Sequence, residues 1–504
     1  MSHPEITLTE ELARIVTYLF PTTWGCGIGH GTREGTPMWQ NAADWAESEF
    51  RGMTQLGERF EQRLVAVAGT LAARPDGTLP QRFDWAELKA AYRLIHAAAP
   101  RPDDLQAVHR TRTRERAVAC PGPVLFVHDT TQLDFSSHRA VADQLGPIGD
   151  GAESARGFLQ HNSLAVDPTG SALLGLIHQQ TFVRTAVPAG ETRAARYRRP
   201  DRESAVWERG IEAVGRPPKG ACWVHVGDRG ADCYAAMATA VDTGAHFLIR
   251  LCQDRRATTA DDSLTHLMVA ARAVTPIASG TVAVASRGGR PGRTAAVVLG
   301  SVRVSIRPPH AEVRWRGRPP LGVTVVRIWE PNPPPDVEPL EWVLGTDRAG
   351  QTAADLQKYQ EWYEWRWATA EEYHKVQKTG CRIEAVRFET RGRLQAAIAL
   401  LSVVAVRVLA LRWQRDATPD AAVEEVASAA EIAAVSGVSR RRPRTVREFV
   451  DAVAQLGGYL GRRCDGPPGW QSLWRGYQRL ADIVLGLELA HARDPAQPQV
   501  VGNR

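Results

Sequence analysis

The chain changes character at PVLFVHDTTQ, Pro123 to Gln132. A near-continuous apolar run of this length, closed by polar residues, predicts a buried strand ending at Asp129, with Thr130 and Thr131 behind it. The theme repeats in ACWVHVGDRGAD, Ala221 to Asp232, where a short apolar strand delivers Asp228 and Asp232 follows one helical turn later. Between them HNSLAVDPTGSALLGLIHQQTFVR, His161 to Arg184, reads as two strands joined by the turn signal Asp167-Pro168-Thr169-Gly170. A helical pattern covers Ser204 to Gly215, and HFLIRLC, His246 to Cys252, is a further strand. The order predicts a mixed α/β sheet with aspartates at two strand ends, where open sheets place their sites.

Toward the N-terminus the period is helical. NAADWAESEFRGMTQLGERFEQRLVAVAGTLAA, Asn41 to Ala73, carries apolar residues at helical spacing, with Asp44 as a cap and Arg59 and Arg63 four apart on one face. Asp84 to Ala98 adds Lys89, Tyr92 and Arg93, and His109 to Ala117 is a third helix. Short helices with aligned cations suit contact with DNA, and equally an ordinary solvated surface. Toward the C-terminus, residues 258 to 347 are β-rich and Pro/Gly-punctuated, as in an inserted antiparallel subdomain. Helices then return, including the apolar Leu394 to Leu411, a basic linker at Ser439 to Glu448, and an amphipathic tail at Ser472 to Ala490 with Leu473, Trp474, Tyr477, Leu480, Ile483, Val484 and Leu487 at helical spacing.

Composition narrows the class. At 504 residues several domains are expected, and 43% hydrophobic with 23% charged residues is ordinary for a soluble globular chain. Of 62 basic residues only five are Lys (89, 219, 358, 375 and 378), so Arg, the better fork for phosphate, dominates a net charge of +6. Seven cysteines, at 26, 120, 222, 233, 252, 381 and 464, make no C-x-x-C pair, which argues for a reducing cytoplasm and against structural zinc. The acidic N-terminus lacks a signal pattern, and the apolar run Ala396 to Val406 is read as a core helix, so the expectation is a soluble, cytoplasmic protein.

YEWRWATAEEYHKVQKTG, Tyr363 to Gly380, reads as one helix capped by Gly380. At roughly 100 degrees per residue, Tyr363, Arg366, Glu371, His374 and Lys378 share a face. Alone, that is a solvated charged face. With Asp129 and Asp228 upstream, Glu371 completes three hard oxygen ligands of the kind that hold two Mg²⁺ ions roughly 4 Å apart for phosphodiester chemistry.

HDTTQLDF, GDRGAD and EEYHKVQKTG, together with ADWAESEF, LGERFEQRL, KAAYR, RGFLQHNSLAV, EPNPPPDVEPLEWVL, LLSVVAVRVLALR and WQSLWRGYQRL, resemble the cut-and-paste DDE transposases of the insertion-sequence-four family, from residue 41 to residue 490. The resemblance implies an RNase H-like sheet flanked by helices, with Asp129, Asp228 and Glu371 as catalytic ligands of two Mg²⁺ ions, for which Mn²⁺ can substitute. It implies DNA contacts from Arg59, Arg63, Arg250, Tyr363, Arg366 and Lys378, and a flipped base stacked on Trp342. The implied partners are double-stranded DNA, both transposon inverted-repeat ends and target DNA, and a second copy of the chain in a synaptic homodimer. The implied reaction nicks the end, forms a hairpin, opens it and joins 3′ ends to the target. The other class carried is a protein of the same descent that binds DNA without catalysis.

The corresponding division is 1–38, an extension without assigned role; 39–118, helical and DNA-binding; 119–257 and 348–415, the catalytic sheet and its Glu helix; 258–347, the β insertion; and 416–504, a helical dimerisation region. Two departures stand out. Arg366 and Glu371 are separated by four residues where the family has three, which predicts a single π-bulge near Trp367 to Ala370. Gly230 stands where the family commonly has Glu.

Overall fold

The computed structural model describes residues 42–52, 57–74, 78–99, 101–149, 155–284, 292–462 and 467–493; the extension at 1–38 lies outside them. Helices α1 (Ala42–Phe50), α2 (Glu58–Ala73), α3 (Trp85–Ala98) and α4 (Ala107–Ala119) open the chain. The helical block expected from Asn41 is thus two helices, and Asp44 sits inside the first turn of α1 rather than capping it. Its side of the bundle buries Trp45, Phe50, Leu64, Leu71 and Leu94. Helix α3 starts where a capping box forms: the Asp84 side chain accepts the Glu87 N–H at 2.8 Å while Glu87 accepts the Asp84 N–H at 3.0 Å.

Among the described residues twelve strands form one mixed sheet. They are β1 (Val124–Asp134), β2 (Gly146–Pro147), β3 (Arg156–Asp167), β4 (Ala172–Phe182), β5 (Trp223–Gly227), β6 (His246–Arg250), β7 (Arg256–Thr259), β8 (Leu264–His266), β9 (Ala278–Val284), β10 (Arg293–Ile306), β11 (Leu321–Trp329) and β12 (Glu341–Thr346). The order is β2-β3-β1-β5-β6-β12-β11-β10-β7-β8, with β4 on β3 and β9 on β10. Among the described residues only the β1–β5 and β5–β6 pairs are parallel, and the central strand β5 is buried at every position. The turn at Asp167 forms as read, its Oδ1 accepting the N–H groups of Thr169 and Gly170 at 3.0 and 2.9 Å.

Two features of the sheet differ from the sequence reading. Strand β1 does not stop at Asp129 but continues to Asp134, because its outer half stays paired with β3 after the β5 partner ends at Val127. The β-rich stretch is not set apart: β12 pairs with β6, Leu344 opposite Arg250, so β7 to β12 extend the central sheet edge to edge.

Helices cover the sheet. The helix Arg391–Ala417 is buried along Leu394 to Arg407, and although long and apolar enough by composition to cross a membrane, it serves as a core helix here. Gln106 ties it to the sheet, donating to the Ala399 carbonyl at 2.8 Å and to Gln179 Oε1 at 2.9 Å. The C-terminal helix Trp470–Arg493 buries Leu473, Trp474 and Leu480 against the body, with Tyr477, Ile483 and Val484 half-buried; Leu485, Leu487 and Leu489 are exposed.

Candidate functional site

Sheet register brings the first two aspartates together. Val127 lies opposite Val226 in the parallel β1–β5 pair, so two residues further on Asp129 and Asp228 stand abreast. In the next parallel pair Gly227 lies opposite Ile249, which puts Arg250 beside Asp228 by the same step. Trp342 lies two positions before Leu344, the partner of Arg250 on β12. One edge of the sheet therefore carries Asp129, Asp228, Arg250 and Trp342 in a row.

The third carboxylate comes from the helix that begins at Ala353, capped by Thr352 Oγ1 accepting the Asp355 N–H at 3.2 Å. This helix is anchored at both ends. Upstream, Leu356, Tyr359, Trp362 and Tyr363 are buried and Gln360 donates to the Thr281 carbonyl of β9 at 2.8 Å. Downstream, Tyr373 donates to the Ser402 carbonyl at 2.9 Å and Gln377 to Ser402 Oγ at 2.8 Å, both on the core helix. Two fixed ends leave one surplus residue between them, and it is absorbed as the expected π-turn, at Trp367–Glu371. A second π-turn, Val376–Gly380, follows a short α segment and has no counterpart in the sequence reading.

The first π-turn sets the geometry of the acidic cleft. Arg366 and Glu371 are one π-turn apart, and Arg366 Nη2 donates to Glu371 Oε1 at 3.3 Å while its Nη1 lies 3.6 Å from Asp129 Oδ2. The guanidinium stacks over Trp367 at 4.4 Å. Burial pushes the Asp129 carboxyl up to about 7; Arg366 works against that, and the neighbouring Asp228 and Glu371 add to it. Burial also raises the Tyr363 hydroxyl, against the pull of Arg366 and Arg250. His374 is kept neutral, down to about 3, by burial and the cations Lys378 and Arg366; its Nε2 meets Asn162 Nδ2 at 2.9 Å and its Nδ1 is 3.9 Å from Asp129.

Asp228, Arg250, Trp342, Tyr363, Arg366 and Glu371 line a single cleft of about 960 Å³, and Asp129 adjoins it through Arg366. Trp342 is nearly buried, with the ring of Trp367 4.8 Å from its own at 33° and that of Tyr363 5.6 Å away. Lys378, within the second π-turn, is not in this group: it lines a separate cleft of about 750 Å³ with His138, Arg382 and Arg387, where its Nζ is 3.7 Å from Glu384. Asp232 is spent on structure, its carboxylate taking the N–H groups of Cys252 and Gln253 at 2.7 Å each and pairing with Arg255. At Gly230 a Cβ would lie 3.0 Å from both Asp228 Oδ1 and the Trp207 ring, a tight approach that these side chains would have to give way to.

Sequence reasoning missed the aromatic and basic lining supplied by Trp367, Trp329, Arg229 and Arg293. It also missed a polar interior behind Asp129, where His128 Nε2 meets His225 Nδ1, Ser163 Oγ meets His128 Nδ1, and Thr130 Oγ1 meets His161 Nδ1, each at 2.8 Å. The available signal was a histidine inside each apolar strand, VHD and VHVGD. As for a divalent ion, the donors are the hard oxygens it prefers, but a guanidinium lies between two of them. Among the described residues no group of three His, Cys, Asp or Glu is arranged to hold a metal ion. The residues as placed do not fit that ion.

Arg59 is exposed and Arg63 half-buried on α2, well apart in sequence from the cleft and in the opening bundle. Residues 42–99 match the family described as Transposase DNA-binding. The chain thus carries a transposase-type DNA-binding region ahead of a mixed α/β sheet. Within that region α3 presents an exposed row, Trp85, Lys89, Tyr92, Arg93 and His96, at helical spacing. Trp85 is 72% exposed with the Lys89 ammonium 4.6 Å from its ring centre.

Proposed function

We propose that this chain is a transposase-derived DNA-binding protein that holds duplex DNA through α2 and α3 and offers the cleft at Glu371 to the bound strand. The observation that carries the reading is the match over residues 42–99, supported there by an exposed aromatic and cationic row and by Arg59. Cations on a helix face grip phosphate, and exposed aromatic faces add base or sugar contact. The test is anisotropy of labelled duplexes, first of random sequence and then from the DNA flanking the gene, across a salt series. Binding should weaken steeply with salt, and Arg59→Ala with Lys89→Ala should flatten the slope by about two. No binding to any duplex at low salt would sink the reading.

A second reading is favoured by one observation, the register that sets Asp129 and Asp228 abreast with Glu371 beside them: an active Mg²⁺-dependent transposase that cleaves transposon ends and joins them to target DNA. With Arg366 lodged between the carboxylates, the first reading takes precedence. DNA carrying the element's own ends, incubated with Mg²⁺ and with Asp129→Asn as control, separates the two; strand cleavage by the unaltered chain alone would promote the second. A homodimer through the exposed Leu485, Leu487 and Leu489 belongs to the same proposal, and light scattering of the full chain with and without DNA reads it directly.

A further inference from the structure

The basic stretch Ser439 to Glu448 belongs to neither cleft. It joins the helix Ala429–Ser439 to the helix Val446–Leu456 and carries five arginines and one carboxylate. Two of the five are paired: Arg441 Nη2 lies 2.6 Å from Glu448, and Arg442 Nη2 lies 3.3 Å from Glu424 on the adjoining turn Val423–Glu425. Those arginine side chains are 77% and 70% exposed, and pairs so open to water contribute little and exchange easily. Arg440, Arg444 and Arg447 are exposed, and among the described residues they make no ion pair. Local stability does not account for their positions. Arg440 closes its helix at φ 57°, a left-handed conformation where Gly or Asn is the easier residue. Arg447 is the second residue of the next helix and Arg444 stands just before its cap, Thr445, at the end where the helix dipole disfavours a cation.

We infer that this stretch is a second seat for the phosphate backbone of duplex DNA, separate from the α2–α3 surface. The inference rests on the DNA-binding reading above and adds a surface to it. Exposed arginines without carboxylate partners offer their forks to phosphate oxygens, and the two weak pairs can exchange a carboxylate for a phosphate. The core helix Arg391–Ala417 fixes the distance between the two seats. Near its start Arg393 Nη2 meets His96 Nδ1 at 2.9 Å, and Phe388 lies against Tyr92 with ring centres 5.9 Å apart. Just past its end the Val446 N–H donates to the Ala421 carbonyl at 3.0 Å and the Arg447 N–H to the Pro419 carbonyl at 3.1 Å. Its 27 residues, at about 1.5 Å each, hold the His96 end of α3 and the arginine stretch roughly 40 Å apart. One turn of DNA is roughly 34–36 Å, so a duplex of about 10 bp reaches one seat at a time. A longer duplex spans both, or each seat takes a duplex of its own; the phosphate chemistry is the same.

The test titrates the full chain with labelled random-sequence duplexes of about 10 and about 40 bp across a salt series, reading anisotropy and the stoichiometry at saturation. The variant combines Arg440→Gly, which suits the left-handed position, with Arg444→Gln and Arg447→Gln. The unaltered chain should bind two short duplexes and the variant one. If one long duplex binds per unaltered chain, it spans both seats, and the variant should flatten the slope of log affinity against log salt by about three. If two long duplexes bind, each seat holds its own, and the variant should bind one. A single short duplex per unaltered chain, or the same stoichiometry and slope in both chains, overturns the inference. Should the triple variant fail to fold, Glu424→Gln decides: it releases Arg442 and should steepen the slope by about one, and an unchanged slope overturns the seat. Arg59→Ala with Lys89→Ala keeps the two readings apart. If that pair abolishes all duplex binding, the arginine seat falls and the α2–α3 reading stands; if it changes nothing while the triple variant binds no DNA, the α2–α3 reading falls and the arginine seat stands.

Discussion

At Glu49 a buried carboxylate is closed on every side, with His109 Nδ1 2.5 Å from one oxygen and Arg116 2.8 and 3.0 Å from the two; His109 also accepts the Leu176 N–H at 3.0 Å, so the imidazole is neutral and bridges α1 to β4. Burial opposes ionisation there, yet His109 and Arg116 outweigh it and hold Glu49 down at about 2. At Asp129 the same chemistry is left open: one arginine at longer range, two further carboxylates, a cleft in front, and a carboxyl raised to about 7 by burial. The first cluster stores stability. The second holds charge that is not yet balanced, which is what a ligand can exploit.

Four measurements test that contrast, and the largest effect belongs to the closed cluster. Glu49→Gln should cost about 3–5 kcal/mol in urea unfolding, because it strands the half-buried Arg116 beside a buried site; a cost near zero would erase the distinction. Acid is next. His225 and His178 are held down at about 3 by burial, so they stay neutral in the folded chain while the unfolded chain binds protons below its ordinary value of 6.5. Stability should therefore fall as pH drops from 6.5 toward 3, by about 1.4 kcal/mol per pH unit for each histidine, with Glu49 adding a loss below 4.5; it is read from urea midpoints across pH. A flat profile would mean the histidines are hydrated.

The open cluster should respond less. Arg366→Gln should cost about 1 kcal/mol in urea unfolding, since the exposed side of Glu371 and the cleft let water and protons take over its role; a loss equal to that of Glu49→Gln would make Arg366 a structural pair. Smallest of all, Asp129→Asn should change stability by less than about 0.5 kcal/mol, or raise it, because it removes one of three mutually repelling carboxylates. A large loss would show that Asp129 is structurally paired after all.

How much of this the sequence displays depends on whether the cause is local. The two apolar strands that bring in Asp129 and Asp228, the Asp167 turn and the surplus residue after Arg366 are local signals, and the structure follows them. What was not legible depends on distant partners. The continuation of β1 past Asp129 is decided by β3, and the union of β7 to β12 with the central sheet is decided by the β6–β12 pairing. Lys378 was placed on the Glu371 face by assuming one helical period; that period is interrupted by a second π-turn at Val376–Gly380, and Lys378 lies beside Glu384 in a separate cleft. That Trp342 lies nearly buried beside Trp367 could be seen only once the helix was set against the sheet.

The first π-turn has a consequence for chain length. Gln360 is tied to β9 and Tyr373 to the core helix. One residue more or fewer between these anchors is therefore expected to rewind a single turn and leave the buried flanks, Trp362 before it and Tyr373 after it, where they pack.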